Sequence, residues 1–136
     1  YVTKPGGSGH YADVYGYTEL GKTGTPNKIV NGTYSKSSYC PCFIGFTPVK
    51  NPAFVLMVVM DEPSTAYRDG VGSMYYGSVA AAPVFKQISR RSLEYLGIPQ
   101  DDPHGFPSND PRYDSQKADW MIETQQLKEM YEKWNK

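Results

Sequence analysis

Apolar side chains fall into three short runs set in a chain punctuated by glycine and proline. Residues 17–25 open on Tyr17 and close at Gly24-Thr25-Pro26, a pattern that predicts a strand ended by a turn. Residues 42–46, Cys42-Phe43-Ile44-Gly45-Phe46, lie between Pro41 and Pro48 and predict a second strand. The third covers 54–60 and is apolar on both faces, Phe54/Leu56/Val58/Met60 on one and Val55/Met57/Val59 on the other. Such a strand is expected to be central and covered on both sides, unlike a half-wet edge. Residues 1–16 read as a Gly-rich loop and 27–38 as a polar connection. Asp61-Glu62-Pro63 ends the third strand, and a Gly-rich loop leads to Gly77.

The period then lengthens. Pro83 suits a first helical turn; Val84, Ile88, Tyr95 and Leu96 recur at helical spacing, and Gly97 with Pro99 stop the helix. A Pro/Asp/Asn segment follows. A tail helix over about 115–134 carries Trp120, Leu127, Tyr131 and Trp134 along one stripe. Three strands and one packing helix bury little, so the sheet reads as unfinished.

Composition narrows the classes. The 136 residues suit one domain or a piece of one, and 14 basic against 14 acidic side chains leave no electrostatic footprint for nucleic acid. The longest apolar run, residues 53–60, is far short of the roughly 18 needed to cross a bilayer. The chain starts at Tyr1 without an initiator Met, which reads as a fragment or processed product whose anchor lies elsewhere. Residues 1–60 carry five lysines against two acids and 101–136 five bases against eight acids, so an anionic substrate is expected in the first half. Cys40 and Cys42 lack metal-ligand partners at useful spacing and read as small hydrophobes, with no metal or organic cofactor expected. Asn31-Gly32-Thr33 fits a glycosylation sequon, a pattern too common to carry weight.

Gly16-Tyr17-Thr18-Glu19-Leu20-Gly21-Lys22-Thr23 spells the phosphate-loop pattern, and Asp61-Glu62 after an apolar strand extends that reading to a nucleotide hydrolase. The chemistry, however, needs a buried strand before the loop and a helix opening at Lys22-Thr23 to present free N–H groups. Gly24-Thr25-Pro26 is a poor start for one.

The competing unit is Lys22-Thr23-Gly24, a motif of penicillin-binding proteins and serine β-lactamases. Its surroundings strengthen it. Gly16-Tyr17 with Leu20-Gly21-Lys22-Thr23-Gly24-Thr25 resembles that family's GY…GKTGT segment, and Phe43-Ile44-Gly45-Phe46-Thr47-Pro48 its next strand. The strand ending Asp61-Glu62-Pro63, then Tyr76-Gly77-Ser78 and residues 80–85, then Leu96-Gly97-Ile98-Pro99 follow in the family's order. Residues 5–101 thus resemble the C-terminal part of a class B penicillin-binding protein transpeptidase domain.

The resemblance implies an α+β fold: a partial antiparallel sheet, the last three strands of the transpeptidase sheet, a packing C-terminal helix and a tail helix. It divides the chain into a transpeptidase segment (1–101), a linker (102–114) and a helical tail (115–136). The Lys-Thr-Gly strand is expected at the sheet edge facing the cleft, and strand 54–60 beside a first strand that these residues do not include. The implied chemistry is serine acyl transfer that cross-links peptidoglycan stem peptides at their D-Ala-D-Ala ends and is blocked by β-lactams. Lys22 and Thr25 are implied as catalytic, and Lys22, Thr23, Gly24 and Thr25 as substrate-binding. The nucleophile's Ser-x-x-Lys turn and the Ser-x-Asn motif are absent from these residues, so the isolated chain is expected to be inactive. Tyr75-Tyr76 and the tyrosines at 34 and 39 are expected to border this wall, chiefly as packing residues. Implied partners are the stem peptide, β-lactams, the rest of the domain and cell-wall synthesis proteins, and the implied location is extracytoplasmic on a bacterial membrane. The alternatives are a phosphate-loop fragment and a non-catalytic module working through its tail.

Overall fold

The computed structural model describes residues 2–114 and 116–134, with the side chains of 119–121, 123 and 124 excepted. Three antiparallel strands form the main sheet: β1 (Leu20–Gly24), β4 (Cys42–Thr47) and β5 (Phe54–Val59), in the order β1-β4-β5. Two hairpins interrupt it, β2 (Asn27–Val30) with β3 (Thr33–Tyr39), and β6 (Tyr67–Arg68) with β7 (Gly72–Ser73). A short helix α1 (Gly77–Ala80), the long helix α2 (Ala82–Tyr95) and the tail helix α3 (Asp119–Trp134) complete the α+β fold.

Period-two alternation makes the two faces of the sheet chemically different. Thr23 pairs with Phe43 and Phe43 with Val58, while Gly21 pairs with Gly45. This face lies under α2, which has Pro83 in its first turn and offers Ala82, Phe85, Ser89 and Leu93 at helical spacing. Phe43 and Phe85 meet as tilted rings 4.8 Å apart, and Ala12, Val14 and Tyr17 close the core from the loop before β1. Gly21 and Gly45 leave room for those rings: a Cβ at 21 would stand 2.5 Å from the Phe43 ring, and one at 45 would stand 2.9 Å from that of Phe85. Gly97, at φ +66°, ends the helix, with the Ile98 N–H returning to the Leu93 carbonyl at 3.0 Å.

Several expectations need correction. Strand 54–60 is not covered on both sides: β5 is a sheet edge, and Val55, Met57 and Val59 are exposed. The reason is supply, since these residues provide helices for only one face. The buried stripe of α2 is not the one built on Ile88 and Tyr95, which are 41% and 90% exposed; Ser89, polar but fully buried, carries it instead. The polar connection 27–38 is a hairpin whose turn, Asn31-Gly32, has both central residues at positive φ. The first strand is shorter than 17–25: Tyr17, Thr18 and Glu19 precede it as buried anchors.

Residues 102–114 contain no helix or strand but are fastened down. The Asp102 N–H donates to the Gly16 carbonyl, the Gly16 N–H to the Gly105 carbonyl, and Phe106 is buried. In α3, Ile122, Leu127, Met130, Tyr131 and Trp134 are exposed. The Trp120 side chain, expected on its stripe, and Ser115, its expected first residue, lie outside the described set.

Candidate active site

The entrance to β1 is built before its motif begins. Thr18 is held on three sides: its N–H and hydroxyl donate to the Asp101 carboxylate, its Oγ1 accepts the Val49 N–H at 2.8 Å, and its carbonyl accepts the Thr47 hydroxyl at 2.8 Å. Tyr17 donates its hydroxyl to the Ile98 carbonyl at 2.8 Å, tying the strand entrance to the end of α2. Glu19 accepts the Val14 N–H at 3.0 Å and pairs with Lys4 at 2.9 Å; Lys4 also reaches Asp13 at 2.7 Å.

From this anchor the chain runs extended through Lys22-Thr23-Gly24 at one edge of the sheet. Alternation turns Lys22 to the face opposite α2, beside its pairing partner Ile44 and on the side of Leu20, Val55, Met57 and Val59. Its ammonium is exposed and donates to the adjacent Thr23 carbonyl, at 3.1 Å. Thr23 lies on the α2 face with Phe43. Gly24 ends the strand. A Cβ there would stand 2.7 Å from the Cys42 sulfur, so a larger residue would have to displace that side chain.

Thr25 follows the strand, and its Oγ1 accepts the Gly77 N–H at 3.1 Å. Gly77 enters the sequence pattern only as part of Tyr76-Gly77-Ser78, with no role of its own. Its Cα sits where a Cβ would collide with the carbonyls of Gly24 and Cys42, so only glycine lets α1 rest on the end of the motif strand. The signal was present, in the small residues that follow Tyr76.

Aromatic rings flank this end of β1. Tyr39 stacks on Tyr75 with centroids 4.0 Å apart, and Tyr75 meets Tyr76 edge-on at 4.9 Å. Tyr34, expected near them, projects from the hairpin and is exposed. Lys28, on the same hairpin, reaches Asp61 at 2.8 Å and Glu62 at 2.9 Å, and these bonds raise its pKa. The hairpin, the turn after β5 and the loop before α1 are therefore fastened to one another.

No helix springs from Lys22-Thr23. The chain passes directly into β2, which removes the helix N-terminus that a phosphate loop needs. Cys40 and Cys42 are unbridged and half-buried, and no group of three or more metal-ligating side chains occurs among the described residues.

A partial antiparallel sheet carries Lys-Thr-Gly on its edge strand and a helix across its back. The sequence model of the penicillin-binding protein transpeptidase domain matches residues 1–90, so the chain belongs to that family. It is 46% identical over 97 residues to the probable peptidoglycan D,D-transpeptidase PenA of Neisseria gonorrhoeae, covering 71% of this chain and 16% of that protein. The peptidoglycan D,D-transpeptidase FtsI of Buchnera aphidicola is 39% identical over 100 residues, covering 74% of this chain and 16% of the relative. Among solved structures, the transpeptidase domain of Burkholderia pseudomallei penicillin-binding protein 3 aligns with a TM-score of 0.62 and 34% identity, covering 75% of this chain and 29% of that one. Penicillin-binding protein 3 of Mycobacterium tuberculosis complexed with ampicillin aligns at 0.55 and 28%, covering 77% and 21%. The chain thus spans about one sixth of the curated relatives it matches.

Proposed function

We propose that this chain is the C-terminal part of a peptidoglycan D,D-transpeptidase and supplies the Lys-Thr-Gly wall of its active site. The observation that carries the reading is the extended edge strand Leu20–Gly24, with Lys22 exposed on the sheet face away from α2. A stem peptide would add as a further strand along this edge, with main-chain hydrogen bonds setting its register. Lys22 would place positive charge beside the peptide's terminal carboxylate and the proton-shuttling serine, both absent from these residues. Thr23 and Thr25 would hydrogen-bond that carboxylate through their hydroxyls; the Thr25 oxygen, which accepts from Gly77, keeps its own proton to donate. The Thr25 N–H would be one of two oxyanion donors, each worth about 10²–10³ in rate. Gly24 would let the acyl donor approach the strand.

The remainder of the domain would cover the apolar face on which Lys22 sits and contribute the nucleophile. In this assignment residues 1–101 form the transpeptidase segment, 102–114 its trailing connection and 115–136 a helical appendage. The parent would act on the extracytoplasmic side of a bacterial membrane, anchored through residues outside this chain, and β-lactams would acylate it as substrate mimics. No described helix is long and apolar enough to cross a membrane.

Fluorescent penicillin labelling of the intact gene product tests this reading. The intact protein should be labelled, Lys22→Ala should lower the acylation rate constant by about 10²-fold or more, and the 136-residue chain alone should stay unlabelled. Labelling of the 136-residue chain itself would overturn the assignment of the nucleophile, and undiminished labelling of Lys22→Ala would overturn the role given to the edge strand.

A further inference from the structure

Three ionisable side chains in the loop before β1 take no part in the chemistry above, yet two of them are buried. Lys4 and Glu19 are 5% and 6% exposed, and Asp13 completes the group from the half-buried rim. One ammonium serves two carboxylates, at 2.9 Å to Glu19 and 2.7 Å to Asp13. The Val14 N–H and the Thr3 side chain also bond Glu19. Asp101 is fixed on Thr18, the residue before Glu19. Lys4, Asp13 and Thr3 are the side chains that act on the Glu19 carboxyl.

With both carboxylates ionised, the cluster carries a net negative charge around the buried Lys4 and Glu19. With Glu19 protonated, it is a balanced Lys4–Asp13 pair. Burying an uncompensated charge is costly, and the group relieves that cost by admitting water or shifting outward. Glu19 is directly followed by Leu20, the first residue of β1, and stands three positions before Lys22. Any such shift is therefore delivered to the motif strand. The cluster also joins the segment at residues 3–4 to that at 13–19, so it governs the entrance of β1 from both sides.

We propose that the Lys4–Asp13–Glu19 cluster is a proton-linked brace of the Lys-Thr-Gly strand, with Glu19 a positioning residue whose charge state sets how firmly β1 is held for acylation. This rests on the transpeptidase reading for its functional consequence. Burial drives the Glu19 carboxyl up to about 7; the Lys4 ammonium opposes the rise and the Asp13 carboxylate adds to it. Burial also pulls Lys4 down, but Glu19 and Asp13 outweigh it and leave that ammonium more basic than usual. The brace therefore changes state near neutral pH through the glutamate.

The experiment follows β-lactam acylation of the intact protein from about pH 5.5 to 8 in the wild type and in Glu19→Gln, an uncharged isostere of the protonated form. Dividing one rate constant by the other cancels titrations elsewhere in the site. The ratio of wild type to variant should be near one at the acid end and fall by about threefold or more through neutrality. Asp13→Asn, a change at the accessible rim, should move the inflection to lower pH, because one charge that keeps Glu19 protonated is gone. A purely structural cluster would not move it. A flat ratio with a normally labelled wild type overturns the brace and leaves the transpeptidase reading intact. An unmoved inflection in Asp13→Asn overturns the brace as well. A wild type unlabelled at every pH overturns the transpeptidase reading itself. Thermal unfolding gives a readout independent of activity. Between 4.5 and about 7 the folded carboxyl keeps a proton that the unfolded one has released. Wild-type stability should therefore fall relative to Glu19→Gln as pH rises through that window and level off above it; equal melting temperatures throughout would overturn the proton linkage.

Discussion

The two faces of the main sheet are made by alternate residues of the same three strands, yet they have opposite fates. Phe43, Gly45, Thr47 and Val58 are buried under α2, while Leu20, Ile44, Val55, Met57 and Val59 are exposed on the other side. Hydrophobicity alone does not separate them. The buried face alternates bulk with glycine so that Phe43 and Phe85 interlock, whereas the open face is a largely apolar surface with Lys22 at its edge. An exposed apolar patch of this kind marks an interaction surface. One face holds these residues together; in the proposed assignment the other receives the rest of the domain.

That contrast can be broken by substitution. The largest effect is expected on the closed face: Phe85→Ala should cost about 3–5 kcal/mol in urea unfolding, because a fully buried ring leaves a cavity against Phe43. A loss below about 1 kcal/mol would mean that the face is not the core. Next comes the joint between helix and motif strand. Gly77→Ala should cost about 1–3 kcal/mol by pushing α1 off the carbonyls of Gly24 and Cys42, and should slow acylation in the intact protein. Wild-type acylation in that variant would uncouple the two. The smallest effect belongs to the open face: Val55→Thr should change the stability of the 136-residue chain by no more than about 0.5 kcal/mol. The same change in the intact protein should cost more, and equal costs in the two contexts would mean that nothing covers this face.

Much of this was legible in advance. Lys22-Thr23-Gly24 on an extended segment, a strand at 42–46 and a helix with Pro83 in its opening turn are all local patterns, and the structure places β1, β4 and α2 there. What escaped was nonlocal. Lys4 and Glu19 look like ordinary solvated charges until the fold sets them 2.9 Å apart in a buried site. Ser89 breaks an apolar stripe on paper but fits under the sheet in space. The β2–β3 hairpin has both broad surfaces in water, so no alternation advertises it, and its one local mark was the Asn31-Gly32 turn.

The fastenings around Tyr39 have an evolutionary corollary. Lys28 grips Asp61 and Glu62 on one side, and Tyr39 stacks on Tyr75 on the other. The stretch from 63 to 74 leaves and rejoins the body between those two moorings, and none of it is buried. Insertions and deletions there can accumulate among descendants of this gene while the register of Gly24 against Gly77 stays put.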